Sequence, residues 1–226
     1  MDDLPTTALL VDLDALESNI TKMAAHCKAK NRALRPHGKT HKCPEIARRL
    51  MEAGAVGACA AKLSEAEAFA RGGINGLLVT TAVIGQHKIE RAVQLARLKP
   101  DTIFCVDNAQ NVADLDEAAR EAKLRLNVAI DLYVGNRTGI PAGEPAVALA
   151  QAIARHKNVR LAGIQAYAGH AAHRNGFEAR RELSSGIMRT AAETKRLIEA
   201  GGIPCPLLTG GSTGTYNIDC EIDGLL

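Results

Sequence analysis

A short polar segment, residues 35–44, carries the side chains in this sequence that are best placed to do chemistry. It reads RPHGKTHKCP, and a helical pattern opens at Pro44, so Lys39 falls on a loop between a predicted strand and a predicted helix. Such loops hold the catalytic groups of α/β folds. A lysine that lies beside other cations and is partly removed from water can act as a Schiff-base nucleophile towards an aldehyde. The alternative is a solvated basic loop.

A second segment, GGSTGT at residues 210–215, has the composition of an anion-binding loop. Its glycines leave backbone N–H groups accessible, and Ser212 and Thr213 add hydroxyl groups. The alternative is a flexible turn. A nucleophilic lysine and a phosphate loop together predict a cofactor that is both an aldehyde and a phosphate, and pyridoxal phosphate is such a cofactor.

Apolar runs alternate with amphipathic segments along the whole chain, which predicts a parallel sheet covered by helices. We predict strands at residues 8–11, 33–37, 56–60, 76–81, 102–106, 126–130, 160–167 and 206–209. We predict helices at residues 12–30, 44–53, 64–71, 86–98, 109–123, 144–156 and 177–200, with Ser64 as the cap of the third. Apart from the opening strand, this rhythm favours a (β/α)8 barrel, because a doubly wound sheet usually carries a glycine-rich dinucleotide turn after its first strand.

In a barrel, the residues that follow the strands form the active face. His41 and His170 lie at such positions and are candidates for proton transfer, because histidine titrates near neutrality. His170 and His173 could share a metal, but no third ligand is evident. The other polar residues at predicted strand ends are Lys62, Thr80, Thr81, Asp107, Asn108, Asp131, Arg137 and Tyr167. Of these, Asn108 or Asp107 could equally cap a helix, and Lys62 could be a surface charge.

The composition favours small-molecule chemistry in one domain. The 226 residues carry a net charge of +3 without any block of like charge, and they include only three Tyr, three Phe and no Trp. We therefore expect no nucleic-acid or membrane partner. The six cysteines are dispersed and the N-terminus lacks the pattern of a signal peptide, so we expect a cytoplasmic protein.

Three motifs resemble the D-threonine aldolase and D-serine dehydratase-like family, which belongs to the alanine racemase type of pyridoxal phosphate enzymes, fold type III. They are residues 35–44, YAGH at 167–170 and GGSTGTY at 210–216, and the resemblance runs from about residue 7 to 223. The resemblance implies that Lys39 is the Schiff-base lysine and that Tyr167 lies near the phosphate loop. It also implies that Gly210, Gly211, Ser212 and Thr213 hold the phosphate. Arg137 resembles the arginine that approaches the cofactor's phenolic oxygen, although the loop before it is one residue shorter than is usual in the family.

The resemblance implies a lyase that cleaves D-configured β-hydroxy amino acids by a retro-aldol reaction. A D-serine dehydratase-type lyase and an inactive cofactor-binding fragment or carrier remain alternatives, as does a barrel in which Lys39 only binds a phosphorylated metabolite. Family members carry a mainly β domain after the barrel, which supplies divalent-metal ligands, and they act as homodimers. We expect residues 1–226 to be the barrel domain alone, truncated before the eighth strand, so no metal ligand can be named.

Overall fold

A curled parallel sheet forms the centre of the protein, which is described by a computed structural model over residues 6–135 and 138–225. The strands are β1 (Cys59–Ala60), β2 (Leu78–Val79), β3 (Ile103–Val106), β4 (Leu126–Tyr133), β5 (Ile140–Pro141), β6 (Val159–Tyr167) and β7 (Leu207–Gly211). They are neighbours in the order β1-β2-β3-β4-β6-β7, and β5 pairs with the end of β4. All the pairings are parallel.

Helices connect successive strands and cover one face of this sheet. They are α1 (Leu13–Ala29), α2 (Pro44–Glu52), α3 (Leu63–Arg71), α4 (Gln86–Leu98), α5 (Ala109–Glu121), α6 (Glu144–Arg155), α7 (Phe177–Ala200) and the short α8 (Tyr216–Asp219). The arrangement is an open half-barrel, which confirms the predicted α/β class and the barrel type of the sheet.

Both faces of the central strands are buried, which explains why the strands read as continuous apolar runs. Phe104, Val128 and Ile130 are fully buried among residues that the helices contribute to the main core. Cys59, Leu78, Cys105 and Ala129 form a second, smaller cluster of strand residues alone. The inner face of the sheet is therefore lined by small side chains beneath the ends of the strands.

Most of the predicted helices are confirmed. The bounds of α4 and α7 agree with the prediction, and Gly72 and Gly201 end α3 and α7 as C-caps. Asp12 caps α1, because its Oδ1 accepts a hydrogen bond of 2.9 Å from the Ala15 N–H. Asn108 caps α5 through its side-chain oxygen, so the capping interpretation of this residue is correct. None of the helices in the described ranges has the length and apolar character needed to cross a membrane.

The predictions for the first strands are wrong or too long. Residues 8–11 form no strand, and Leu9 is 89% exposed, because no neighbouring strand pairs with them among the described residues. The predicted strand 33–37 reduces to one bridge between His37 and Cys59, since Pro36 has no N–H to donate to a ladder. The predicted strands 56–60 and 76–81 shorten to two residues each.

Three further differences concern short elements. Ser64 does not cap α3: the Glu65 carboxylate does so by accepting from the Ala61 and Lys62 N–H groups at 2.9 and 3.3 Å. Strand β5 and helix α8 were not predicted, because elements of two and four residues carry no readable periodicity. Strand β4 extends to Tyr133, so Asp131 lies within the strand and not after it.

Candidate cofactor site

Lys39 lies in the middle of a single 3-10 turn, Gly38–Thr40. The Lys39 N–H donates a 3.2 Å hydrogen bond to Nδ1 of His37, and this bond starts the turn. Gly38 is buried against Phe69, and a Cβ at residue 38 would lie only 2.2 Å from the tip of that ring. The close approach of backbone to ring requires glycine at this position, and it directs the exposed Lys39 side chain away from the core.

The amine of Lys39 lies over the ring of Tyr167, with 5.3 Å between Nζ and the ring centroid. This is the separation of a cation–π contact. Within residues 6–135 and 138–225 no carboxylate forms an ion pair with Lys39, in contrast to Lys30, Lys42 and Lys195. The structure thus brings together two predicted site residues that are 128 positions apart in the sequence, and it leaves the amine accessible for a ligand.

His37 connects the lysine turn to the neighbouring strand ends. Its Nε2 lies 3.4 Å from Oγ1 of Thr80, and the Thr80 hydroxyl also donates to the Ala60 carbonyl oxygen at 3.2 Å. Beneath this turn, burial raises the pKa of the Cys59 thiol to about 11, against the smaller opposing effects of Arg35 and Lys39. The floor of the site under Lys39 is therefore an uncharged thiol.

His41 lies at the end of the same loop, where it packs against Phe69 with 6.0 Å between ring centroids. Its Nδ1 accepts a 3.1 Å hydrogen bond from the N–H of Cys43, which is the N-cap residue of α2. Burial lowers the pKa of His41, so the ring is neutral near pH 7. His41 therefore has an evident structural part at the helix start, and a part in proton transfer stays a prediction.

Tyr167 ends β6, and His170 follows it in a second 3-10 turn, Gly169–His173. The phenol oxygen of Tyr167 bends back over Gly169. The His170 ring faces the loop at Gly135, and its Nδ1 is buried with no hydrogen-bond partner in the described part of the chain. A buried ring nitrogen without a partner is uncommon in proteins, and a part of His170 in proton transfer stays a prediction.

The glycine-rich loop begins in β7 and lies beside the same turn. Gly211 pairs in register with Tyr167, which carries the loop to the ring that contacts Lys39. A Cβ on Gly210 would lie 2.3 Å from the Ala166 carbonyl oxygen, and a Cβ on Gly214 would lie 2.7 Å from the Ala172 side chain. The loop is therefore packed against β6 and the 3-10 turn, and it is not a flexible turn of arbitrary composition. Ser212 is half-buried and Thr213 is exposed.

The remaining sequence candidates fall into three groups. Asp131 accepts hydrogen bonds from Gln165 Nε2 at 2.9 Å and from Thr138 Oγ1 at 3.0 Å, so it fixes the β5 approach to β4. Thr81 donates to the Ala61 carbonyl oxygen and Lys62 precedes α3, which gives both residues a structural part. Arg137 lies outside the described residues.

Two residues that position the site were not predicted from the sequence. Phe69 holds both Gly38 and His41, but within α3 it reads only as a core residue. Asp219 lies buried under the glycine-rich loop, with 3% of its surface exposed. The polar composition of residues 215–223 hid this burial, and the one available signal was a carboxylate four residues after Thr215.

The arrangement fits pyridoxal phosphate. An accessible amine at Lys39 suits an aldehyde, and a loop of glycine, serine and threonine residues paired beside Tyr167 has the composition that binds a phosphate group. A metal is not supported in the same way: in residues 6–135 and 138–225 no three His, Cys, Asp or Glu side chains are grouped as metal ligands, and this includes His170 and His173.

The sequence of residues 11–221 matches the family model described as alanine racemase, N-terminal domain. The chain belongs to this family. It is 39% identical to a 3-hydroxy-D-aspartate aldolase of Paracoccus denitrificans over 217 residues, which is 95% of this chain and 56% of the relative. The fold agrees with the crystal structure of D-threonine aldolase from Filomicrobium marinum, with a TM-score of 0.92 and 39% identity over 96% of this chain and 59% of the other.

A third similar protein is the D-threo-3-hydroxyaspartate dehydratase of Delftia sp. HT23. Its structure gives a TM-score of 0.91 at 29% identity, over 99% of this chain and 59% of the other. The predicted resemblance to the aldolase and dehydratase group is thereby confirmed. The chain spans little more than half the length of these relatives.

Proposed function

We propose that this chain is the cofactor-binding domain of a pyridoxal phosphate-dependent lyase that cleaves D-configured β-hydroxy amino acids by a retro-aldol reaction. The observation that carries the proposal is the position of the Lys39 amine, over Tyr167 and beside the glycine-rich loop. The similarity to two aldolases with D-configured hydroxy amino acids in their names supports the substrate class. The domain would comprise residues 1–226.

Each site residue has a separate part in this proposal. Lys39 would hold the aldehyde carbon of the cofactor covalently, as the nucleophilic amine of the site. Gly210, Gly211, Ser212 and Thr213 would form the loop around the phosphate; the exposed Thr213 hydroxyl and loop N–H groups would donate to it, whereas the N–H and hydroxyl of Ser212 lie against Thr215. Tyr167 lies between the two, so its ring would border the cofactor and limit its orientation. Arg137 would approach the cofactor's phenolic oxygen, as the family resemblance implies.

Bound pyridoxal phosphate supplies an electron sink for the bond that breaks at the substrate's α-carbon. The protein must then remove the proton from the β-hydroxyl group. His170 would accept this proton, because its Nδ1 is buried, has no partner in the described residues and lies beside the Tyr167 turn. His41 is the second candidate, because it lies on the same loop as Lys39 and histidine titrates near neutrality; its Nδ1 would have to release the Cys43 N–H before it could take the proton.

The test is to mix the protein with pyridoxal phosphate and to analyse products from D-threonine, with and without Mg²⁺ or Mn²⁺. Retro-aldol cleavage gives glycine and acetaldehyde, and we expect these products from D-threonine and none from L-threonine as the matched control. Absence of any change in the cofactor's absorbance on mixing would contradict the proposal. Bound cofactor without turnover under all conditions would favour a cofactor-binding domain that is inactive by itself.

Dehydration is the second candidate reaction, and the similarity to the Delftia dehydratase favours it. It would convert D-threonine to 2-oxobutyrate and ammonia, and D-serine to pyruvate and ammonia. Both reactions would use the same cofactor-binding site, so only analysis of the products distinguishes cleavage from dehydration. We also propose a homodimer, as the family resemblance implies, and light scattering of the purified protein tests it.

A further inference from the structure

The carboxylate of Asp219 is the least expected group near the proposed phosphate loop. It is 97% removed from solvent, and no Lys or Arg in the described ranges forms an ion pair with it. A negative charge at this place costs free energy twice, once by burial and once by its closeness to a phosphate group. A buried carboxylate of this kind needs hydrogen-bond donors that offset its desolvation.

Hydrogen-bond donors surround the carboxylate. Ser184 of α7 donates to Oδ1 at 2.6 Å, and Thr215 donates to Oδ2 at 2.6 Å. Burial raises the pKa of Asp219 and the nearby backbone N–H of Ser212 opposes that rise, although the 3.1 Å hydrogen bond of this N–H is made to Thr215 Oγ1. Ser184 and Thr215 are themselves fully buried, so neither hydroxyl has water as an alternative partner. The network therefore links α7 to the glycine-rich loop through one carboxylate.

The direction of these bonds follows from the charge. An ionised carboxylate only accepts, so the hydroxyl proton of Thr215 must point at Asp219. The lone pairs of Thr215 Oγ1 are then left to accept from Ser212, whose N–H lies at 3.1 Å and whose hydroxyl oxygen lies at 2.9 Å. An amide at residue 219 would present N–H donors to one of the two hydroxyls and would reverse this chain of bonds.

The loop also lies directly on the carboxylate. Gly211 has φ of +72°, and a Cβ there would lie 2.3 Å from Oδ2 of Asp219. The left-handed backbone and the close approach both require glycine, and together they fix how far Gly211 descends towards residue 219. Contacts of Gly211 with Asp219 and of Gly210 with Ala166 of β6 thus fix the backbone path of the loop.

We infer that Asp219 is a positioning residue, whose carboxylate holds residues 211–215 in the single conformation that binds the phosphate group of the cofactor. It acts through Thr215 and Ser212 and does not touch the ligand. Burial raises the pKa of Asp219, while Ser184 and Thr215 oppose that effect by hydrogen bonding, as expected for a charge that is held by donors alone. This inference rests on the proposed cofactor.

The test compares pyridoxal phosphate with pyridoxal, which has the same aldehyde but no phosphate. Affinities are measured by absorbance titration for the wild-type chain, Asp219→Asn, Ser184→Ala and the control Asp223→Asn, an exposed carboxylate four residues away. We expect Asp219→Asn to lower the affinity for pyridoxal phosphate by about tenfold or more, because buried donors lose their acceptor. Its affinity for pyridoxal should stay within about twofold, and Ser184→Ala should show a smaller loss of the same selectivity.

A merely structural part for Asp219 would lower both affinities together, and that result would overturn the inference, as would unchanged affinities in Asp219→Asn. Circular dichroism and thermal melting without ligand show which variants fold. If Asp219→Asn does not fold, Ser184→Ala carries the same comparison, because it keeps the carboxylate and removes one donor. Wild-type protein that binds neither compound would contradict the proposed function itself. Wild-type binding with no phosphate-specific loss in either variant would contradict the part of Asp219 alone.

Discussion

The two ends of the parallel sheet use polar side chains in different ways. At the amino ends of the strands, Asn127 donates to the carbonyl oxygens of Pro100 and Thr102 and accepts from Arg160 Nε at 2.8 Å. Asp116 accepts from the Asn158 N–H at 2.7 Å in the same region. The side chains of Asn127 and Asp116 find their hydrogen-bond partners within the protein and tie neighbouring strands together, while the buried Thr102 hydroxyl at the same end has no partner among the described residues.

At the carboxyl ends the bonding is left incomplete. Lys39 contacts a ring and no carboxylate, and Nδ1 of His170 has no partner, within the described residues. The polar bonds that do exist there, such as those of Asp219, lie behind the loop and leave its outer side to a ligand. In complete barrels the amino ends of the strands serve stability and the carboxyl ends carry the binding groups, and we predict the same division in this half-barrel.

Replacement of Lys39 is the variant that would change the carboxyl end most. Lys39→Ala should abolish covalent attachment of pyridoxal phosphate and lower any turnover by at least about a thousandfold, because no other amine replaces the nucleophile. The matched control is Lys42→Ala, which removes a neighbouring exposed lysine from the same loop. Absorbance spectra and product assays measure both variants. Retention of the adduct in Lys39→Ala would refute the assignment.

Asn127 tests the amino end. Asn127→Ala should lower the free energy of unfolding by about 2–3 kcal/mol, because Arg160 and two backbone carbonyls lose a buried partner. Urea titration of the ligand-free protein measures this loss. Cofactor affinity of the folded variant should stay unchanged, and a large drop in affinity would break the separation between the two ends.

Gly38 is a position at which one substitution should lower both the stability of the fold and the attachment of the cofactor. Gly38→Ala places a methyl group against the Phe69 ring and should lower the free energy of unfolding by about 1–3 kcal/mol through overpacking. Unlike Asn127→Ala, it should also weaken cofactor attachment, since the turn that carries Lys39 must shift. Gly186→Ala is the control, because a Cβ there meets nothing within 4 Å. Equal changes in unfolding free energy and in cofactor attachment for the two substitutions would show that the contact of Gly38 with Phe69 does not determine either quantity.

The smallest expected effect is the pH dependence that His41 contributes. Because burial lowers its pKa in the folded state, the unfolded chain binds a proton more readily. The contribution of His41 to stability is therefore full above the unfolded pKa of about 6.5 and is lost as the pH falls below it. Urea titrations at pH 7.5 and pH 5.5 should show a smaller acid-induced loss in His41→Gln than in the wild-type chain. An unchanged difference would place the titration elsewhere.

The helices and the barrel type were predictable because they depend on local periodicity and on caps such as Asp12, Gly72 and Gly201. Lys39 and the glycine-rich loop were predictable as chemistry from their residue types and their positions after predicted strands, and the place of Tyr167 was implied by the family resemblance. Their contacts were not, because the 5.3 Å approach of Lys39 to Tyr167 depends on sheet curvature, which no local pattern encodes. The predicted strand at residues 33–37 was wrong because Pro36 interrupts the hydrogen-bond ladder. The part of Asp219 was not predicted because its burial depends on packing against α7.

The central claim is that Lys39 is the covalent seat of pyridoxal phosphate. The most direct test is borohydride reduction of the protein mixed with the cofactor, followed by mass spectrometry of its peptides. We predict a reduced pyridoxyl adduct confined to the peptide that contains Lys39. No adduct, or one scattered over many lysines, would contradict the account.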